Sequence, residues 1–265
     1  MSSWTEHAEG VFSKRYASLD LNIGLVVCPD GLLLVDTRAT RTQARQLKED
    51  IQEVSRLPVR WVVNTHHHWD HTFGNGEFPD AAIWGHARCG PTLTENAERM
   101  REEVKRMAPD HAADLDEVTI VPPHHTFTDE ITIAFGGRTV QLRHFGPAHT
   151  DNDTVVIVPD ADVVFAGDLV EESAPPGFGD SYPFQWPTVD RMLASNAGGV
   201  VVPGHGAPVD AAFVLAQAEE LAEVAQIATD RHAAGMTPEQ AAAAGGPYPE
   251  RTLIDAFTRA WEQVP

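Results

Sequence analysis

Short apolar runs, each closed by turn residues, dominate the first part of the chain. Leu21–Cys28 and Leu32–Asp36 flank Pro29-Asp30-Gly31, a pattern that predicts two strands joined by a turn. From Thr42 to Val54 the apolar residues recur every three or four positions, which predicts a helix. Arg60–Asn64 then resembles a short buried strand. Strand, helix and strand in this order favour a parallel crossover.

The second half repeats this organisation. The predicted elements are the hairpins Ile131–Phe135 with Thr139–His144 and Thr154–Val158 with Val163–Ala166, a helix over Thr188–Ser195, a strand over Gly199–Val202, and helices over 210–234 and 253–263. Two mixed sheets packed face to face, with helices outside, would bury both sheets. We therefore predict an α/β protein, specifically an αβ/βα four-layer sandwich of two mixed β-sheets with outer helices.

We expect one domain over residues 1–265, with its core at about 10–235. A charged amphipathic stretch at 91–117, broken at Pro109, is interpreted as a helical excursion that could act as a lid. Residues 236–265 form a predicted C-terminal helical extension.

Composition narrows the classes of function. The chain has 39 acidic and 19 basic residues and a net charge of −20, which disfavours a general nucleic-acid-binding role. It has no run of 18 apolar residues and no N-terminal signal pattern, so we expect no membrane partner and no export. Two cysteines fit a reducing cytoplasm. We expect a cytoplasmic protein that acts on a small molecule, and the sequence gives no oligomeric state.

A histidine-rich segment follows the Arg60–Asn64 strand directly. It contains His66, His68, Asp70 and His71. In an extended segment, side chains two positions apart point the same way, so His66 and His68 can converge on one ion. Asp70 and His71 can address a neighbouring position where the chain turns. Imidazole and carboxylate groups suit zinc and related metals. The alternative is a surface histidine cluster that responds to pH.

Three further residues follow predicted strands. His149 comes after Thr139–His144, Asp168 after Val163–Ala166, and His205 after Gly199–Val202. Small residues beside each of them would let the backbone approach a crowded centre. Together with the histidine-rich segment, they indicate a metal site at one edge of the sheets.

With these residues the chain resembles the metallo-β-lactamase-fold superfamily. His66, His68, Asp70 and His71 match its H-x-H-x-D-H motif, and the three later residues match its later ligands in order. The resemblance implies that His66, His68 and His149 hold a first metal ion. It implies that Asp70, His71 and His205 hold a second, with Asp168 bridging. It also places Asp36 near the ligands, where the carboxylate could accept an imidazole N–H; the other interpretation of Asp36 is a helix cap.

The implied chemistry is hydrolysis. Two divalent ions, with Zn²⁺ expected first and Mn²⁺ or Fe²⁺ as alternatives, share a water and lower its pKa toward about 7. The resulting metal-bridged hydroxide would cleave an ester-like, thioester, lactone or lactam bond, with Asp70 accepting a proton. The presence of Asp168, where lactamases of the cysteine-ligand type have Cys, resembles the glyoxalase II and lactonase side of the superfamily.

Three alternatives stay open. One is a persulfide dioxygenase-like oxidoreductase with one iron held by His66 or His68, His149 and Asp168. The others are a β-lactamase and a non-enzymatic metal-binding sensor. Aromatic residues could line a substrate pocket beside the metals, although each could instead anchor its segment to the core. The candidates are Trp69, Phe178, Tyr182 and Trp186.

Overall fold

The computed structural model describes residues 3–264. Within that range the strands are β1 (Thr5–Ala8), β2 (Val11–Tyr16), β3 (Leu21–Cys28), β4 (Gly31–Val35), β5 (Val59–Val63), β6 (Ala82–His86), β7 (His125–Phe127), β8 (Glu130–Phe135), β9 (Arg138–Arg143), β10 (Val155–Val158), β11 (Val163–Glu171) and β12 (Val200–His205). The helices are α1 (Arg41–Ile51), α2 (Trp69–Thr72), α3 (Cys89–Met107), α4 (Ala112–Asp116), α5 (Trp186–Ser195), α6 (Ala211–Ala233), α7 (Pro238–Ala243) and α8 (Glu250–Glu262).

The strands form two mixed halves that meet at one point. The hydrogen-bonded order is β7-β6-β5-β4-β3-β12-β11-β10-β9-β8, with β2 also paired to β3 and β1 to β2. In the first half β4, β5, β6 and β7 are parallel, and in the second half β11 and β12 are parallel. The halves are joined where His205 at the end of β12 pairs with Leu21 at the start of β3.

Alternation along the strands packs these halves face to face. In β4, Leu33 and Val35 point into a central core that also contains Val156 of β10 and Phe165 of β11. Their neighbours Leu32 and Leu34 point the other way. Because successive side chains alternate between the two faces of a strand, each half buries both of its faces.

Helices cover the two outer faces. Helix α1 packs Ala44, Leu47 and Ile51 against the outer face of the first half. Helices α5, α6, α7 and α8 cover the outer face of the second half. The layers are helix, sheet, sheet and helix, so the predicted αβ/βα sandwich is confirmed.

Within residues 91–117, α3 ends at Met107, two residues before Pro109, and α4 follows at Ala112. Helix α3 and α4 bury their own small core with Phe73, which lies close to the histidine-rich segment. The C-terminal extension is also helical and packs through Leu253 and Phe257 into the core of the second half. Among the described residues no helix is long and apolar enough to cross a membrane.

Two strand ends differ from the sequence-based expectation. Strand β11 continues to Glu171, so Asp168 lies within it, and His205 is the last residue of β12 rather than the residue beyond it. The pairing of β11 with β12 shifts register at Gly167, which has a φ of +56°. The shift in register bends β11 while its pairing with β12 continues. A pattern of apolar residues does not reveal such a bend.

Helix α5 begins at Trp186, two residues before the predicted start at Thr188, and ends at Ser195 as predicted. Strands β1, β2 and β7 were not expected. Cys28 and Cys89 are buried free thiols.

Candidate metal centre

The histidine-rich segment leaves β5 at the edge where the halves meet. His66 and His67 are buried in irregular backbone, and α2 then starts at Trp69. One turn of helix turns Asp70 and His71 back toward the sheets, and both are buried.

A first set of donors comprises His66, His68, His149 and Asp168, whose ligand atoms lie within 4.8 Å of one another. Nδ1 of His68 is 3.0 Å from Nε2 of His149. Oδ2 of Asp168 is 3.7 Å from Nε2 of His66 and 3.6 Å from Nε2 of His149. These separations suit donors that share one small ion.

A second set comprises Asp70, His71 and His205, also within 4.8 Å. Nε2 of His71 and Nε2 of His205 are 3.5 and 3.4 Å from the same oxygen of Asp70. Asp168 belongs to this set as well, because its Oδ2 is 3.3 Å from His205 and its Oδ1 is 3.2 Å from His71. The Asp168 carboxylate therefore lies between the two sets.

Unpartnered buried atoms test whether a metal fits here. Nε2 of His66, Nε2 of His71 and Oδ1 of Asp168 are buried and have no hydrogen-bond partner among the described residues. Leaving such atoms unsatisfied costs about 1–3 kcal/mol each. Imidazole and carboxylate donors at these separations fit divalent ions, which would satisfy them.

The opposite nitrogen of His66, His71 and His205 is fixed by a hydrogen bond. Nδ1 of His71 donates to Oδ2 of Asp36 at 2.8 Å, and Nδ1 of His66 is 3.1 Å from Oγ1 of Thr65. Nδ1 of His205 donates to the carbonyl of Leu19 at 2.7 Å. Such bonds set the tautomer and leave Nε2 free for a metal.

Asp36 is a buried hub of this arrangement. Besides His71, it accepts the backbone N–H of Thr65 at 2.8 Å and the Thr65 hydroxyl at 2.7 Å. Helix α1 is capped by Thr40 instead, whose side chain accepts the N–H of Gln43. Of the two interpretations of Asp36, the structure thus places it against a candidate ligand and not at a helix terminus.

Glycines make room for the bridging carboxylate. A Cβ atom on Gly204 would lie 1.8 Å from Oδ1 of Asp168, and one on Gly167 would lie 2.7 Å from Cβ of Thr65. Side chains at these positions would displace the groups that form the site, which is the close approach expected from the sequence.

Electrostatics favour positive charge between the carboxylates. Burial opposes protonation of His205, but the Asp168 carboxylate outweighs it and raises the pKa of His205 to about 10. The pKa of His71 is likewise well above its usual value, because Asp168 and Asp70 outweigh burial. Burial lowers the pKa of His149 to about 4. The second set therefore attracts a cation, and protons would compete with a metal for it.

Asp180, which was not among the residues predicted for the site, lies in the segment between β11 and α5. Its Oδ1 is 3.0 Å from Nε2 of His68, and its Oδ2 is 3.3 Å from Nε2 of His67. Burial would raise the pKa of Asp180, but the charge of His68 and hydrogen bonds from both imidazoles hold it well below its usual value. The sequence offers no signal for this contact, since 112 residues separate Asp180 from His68.

The four candidate pocket aromatics differ in their surroundings. Phe178 and Trp186 are 2% and 0% exposed and pack in the core of the second half, although the Trp186 ring is 5.5 Å from that of His149. Trp69 is half-buried beside α3. Tyr182 is half-buried under the guanidinium of Arg259. Trp69 and Tyr182 are thus the two with surface left to contact a small molecule.

Comparison with known proteins identifies the family of this chain. The metallo-beta-lactamase superfamily matches residues 19–212. That range is more than half of the chain, and the chain belongs to this superfamily.

Curated relatives include hydrolytic enzymes of two kinds. The chain is 26% identical over 222 residues to a linear primary-alkylsulfatase from Pseudomonas sp. (strain ATCC 19151), covering 70% of this chain and 41% of that protein. It is 26% identical over 212 residues to a type 2 metallo-beta-lactamase from Bacteroides fragilis, covering 77% of this chain and 79% of that protein. The chain therefore spans about two fifths of the alkylsulfatase.

A solved structure has the same fold over the whole length of this chain. A stereoselective inverting sec-alkylsulfatase from Pseudomonas sp. has a TM-score of 0.80 and 16% identity, covering 100% of this chain and 50% of that chain. At this identity the likeness concerns the fold, and it includes the C-terminal helices.

Proposed function

We propose that this protein is a binuclear metal-dependent hydrolase that cleaves an ester-like, thioester, lactone or lactam bond in a small molecule. The observation that carries the proposal is the position of Asp168. Its two oxygens lie 3.2–3.7 Å from imidazole nitrogens of both donor sets. A carboxylate shared in this way is suited to bridge two cations.

Each donor set would hold one of the two ions. His66, His68 and His149 would hold the first ion, and Asp70, His71 and His205 the second, with Asp168 between them. Zn²⁺ is the expected metal, and Mn²⁺ or Fe²⁺ also suit mixed imidazole and carboxylate donors. When bound, two such ions lower the pKa of a shared water and polarise the bond to be cleaved.

Residues of the chain supply orientation and proton transfer. Asp36, Thr65 and the Leu19 carbonyl keep three imidazoles in the tautomer that presents Nε2 to the metals. Asp70 has one oxygen 3.4–3.5 Å from His71 and His205, and we assign to its carboxylate the proton released during hydrolysis. The buried carboxylate and imidazole groups exclude bulk water from the inner side of the site.

Substrate would approach from the side where His68, His205 and Asp180 are partly exposed, with side-chain exposures of 22%, 14% and 42%. Trp69 and Tyr182 are the candidate walls there. The names of the relatives add one substrate class to test, sulfate esters, to those expected from the site.

The test begins with metal content after purification without chelator or added metal. We expect about two zinc or manganese ions per chain. The protein is then assayed against thioesters, lactones, β-lactams and alkyl sulfates, with His68→Ala as the inactive control. One iron per chain and oxygen uptake with a persulfide would replace the proposal with a dioxygenase. Full metal content in the His68→Ala variant would refute the ligand assignment.

A further inference from the structure

Two neighbouring imidazoles converge on the Asp180 carboxylate. His68 meets Oδ1 at 3.0 Å, and His67, which is not in either set around Asp168, meets Oδ2 at 3.3 Å. Both contacts are made by Nε2. Asp180 belongs to the irregular segment between β11 and α5, whereas the histidines follow β5.

The hydrogen-bond network defines where the protons lie. Nδ2 of Asn152 donates to Nδ1 of His67 at 2.9 Å, so the His67 proton is on Nε2 and points at Asp180. Nε2 of His68 likewise donates to Asp180. His68 then keeps a lone pair on Nδ1, the atom 3.0 Å from Nε2 of His149 in the first donor set.

The C-terminal helix fixes the segment that carries Asp180. Arg259 of α8 donates from Nε to the carbonyl of Ser181 at 2.8 Å and from Nη2 to the carbonyl of Asp180 at 3.4 Å. Gln263, just after α8, donates to the same Ser181 carbonyl at 2.8 Å. The backbone at Asp180 is therefore tied to Arg259, 79 residues away in sequence, by bonds that do not involve the Asp180 carboxylate.

We propose that Asp180 is a positioning residue for the first metal ion, which holds His68 in the tautomer that presents Nδ1, and that α8 fixes Asp180 through Arg259. His67 holds the second carboxylate oxygen and so prevents rotation of the group. The inference rests on the proposed function, because it requires His68 to be a metal ligand.

The test measures metal affinity rather than turnover. Metal-free wild type, Asp180→Ala and Asp180→Asn are titrated with Zn²⁺ against a chromophoric chelator that resolves two binding steps. We expect about 10–100-fold weaker binding in one step for Asp180→Ala and little change in the other. Asp180→Asn keeps an acceptor without the charge, and we expect an intermediate loss.

A second experiment uses NMR to detect the proton on Nε2 of His68. In zinc-loaded wild type, the ¹H–¹⁵N signal of the His68 Nε2–H should be shifted downfield and protected from exchange, and Asp180→Ala should remove it. Asp255→Asn removes an exposed carboxylate from α8 and serves as the matched control, with unchanged affinity. Arg259→Ala should weaken the same step as Asp180→Ala, by a smaller factor.

The outcomes separate the two proposals. Two tight zinc ions in Asp180→Ala, as in wild type, would overturn the positioning role while leaving the binuclear site intact. Failure of wild type to bind metal, or no effect of His68→Ala, would overturn the proposed function first. Three zinc ions in wild type and two in Asp180→Ala would show that His67, His68 and Asp180 hold an ion of their own, which also contradicts the inference. Thermal melting of the metal-free variants identifies any that fail to fold.

Discussion

Two carboxylate–imidazole pairs flank the candidate metal centre, and they are built differently. Asp36 is 2% exposed, lies at the end of β4 and accepts two hydrogen bonds from Thr65 in addition to that from His71. Asp180 has a 42% exposed side chain and lies in an irregular segment, and within residues 3–264 its carboxylate pairs with His67 and His68. The pair of Asp36 and His71 is held by the strands, whereas the pair of Asp180 and His68 depends on an irregular segment that α8 holds in place.

The two carboxylates therefore differ in how firmly the fold holds them, and this should affect the two donor sets differently. The second donor set is oriented by groups that fold with the sheets, since Asp36 and Leu19 lie beside β3 and β4. His68 of the first set depends on a segment that α8 must hold in place. We therefore expect changes at Asp36 to alter folding and metal binding together, and changes at Asp180 to alter metal binding alone.

The largest effect is expected where the two donor sets meet. Asp168→Ala should remove both ions and reduce hydrolysis about 1,000-fold, as the loss of about 4 kcal/mol of barrier stabilisation would do. His205→Ala should weaken mainly the second ion. Metal analysis of both variants checks this, and equal metal loss in the two would contradict a bridging role for Asp168.

A smaller effect is expected at the buried pair. Asp36→Asn should weaken the second ion about 10–100-fold, because His71 loses the carboxylate that fixes its tautomer. It should also lower the free energy of unfolding by about 1–3 kcal/mol, because buried donors of Thr65 lose a charged acceptor. Zinc titration and urea unfolding of the metal-free protein measure the two effects. We expect Asp180→Asn to leave the free energy of unfolding unchanged. If Asp36→Asn also leaves it unchanged, the proposed contrast between the two pairs is wrong.

An effect on stability alone is expected at Asp190, a buried carboxyl outside the two donor sets. Burial raises the pKa of Asp190 well above its usual value, against a hydrogen bond from Gln217 at 2.8 Å. The folded state then holds a proton that the unfolded chain releases above about pH 4, so stability should fall as pH rises from there toward the folded pKa.

Asp190→Asn removes this titration. The free energy of unfolding of wild type relative to the variant should fall by up to about 1.4 kcal/mol per pH unit above pH 4. Urea unfolding at pH 5 and pH 8 measures it. A difference between the two proteins that does not change with pH would show that Asp190 is already ionised in the folded state, which contradicts the prediction.

The sandwich and most of the candidate site could be predicted because local signals coincided with them. Apolar runs located β3, β4 and β5 and the hairpins of the second half, and two residues, Asn64 and Thr65, separate the end of β5 from His66. The strands β1 and β2 escaped prediction because their exposed and half-buried positions carry charged residues such as Glu6, Lys14 and Arg15. Asp168 and His205 were identified as candidates, but the strands that carry them run further than the apolar pattern indicates.

The sequence by itself determined the donor types, their order and the alternation that buries two sheet halves, because these follow from side-chain chemistry and short-range periodicity. The tertiary structure decided which nitrogen of each histidine faces the centre. That choice depends on partners distant in sequence, among them Asp36 for His71, Leu19 for His205 and Asp180 for His68. It also decided that Gly204 must lack a side chain, because only the packed strands bring it against the Asp168 carboxylate. Hydrogen bonds and steric exclusion act over a few ångströms in space, whatever the separation along the chain.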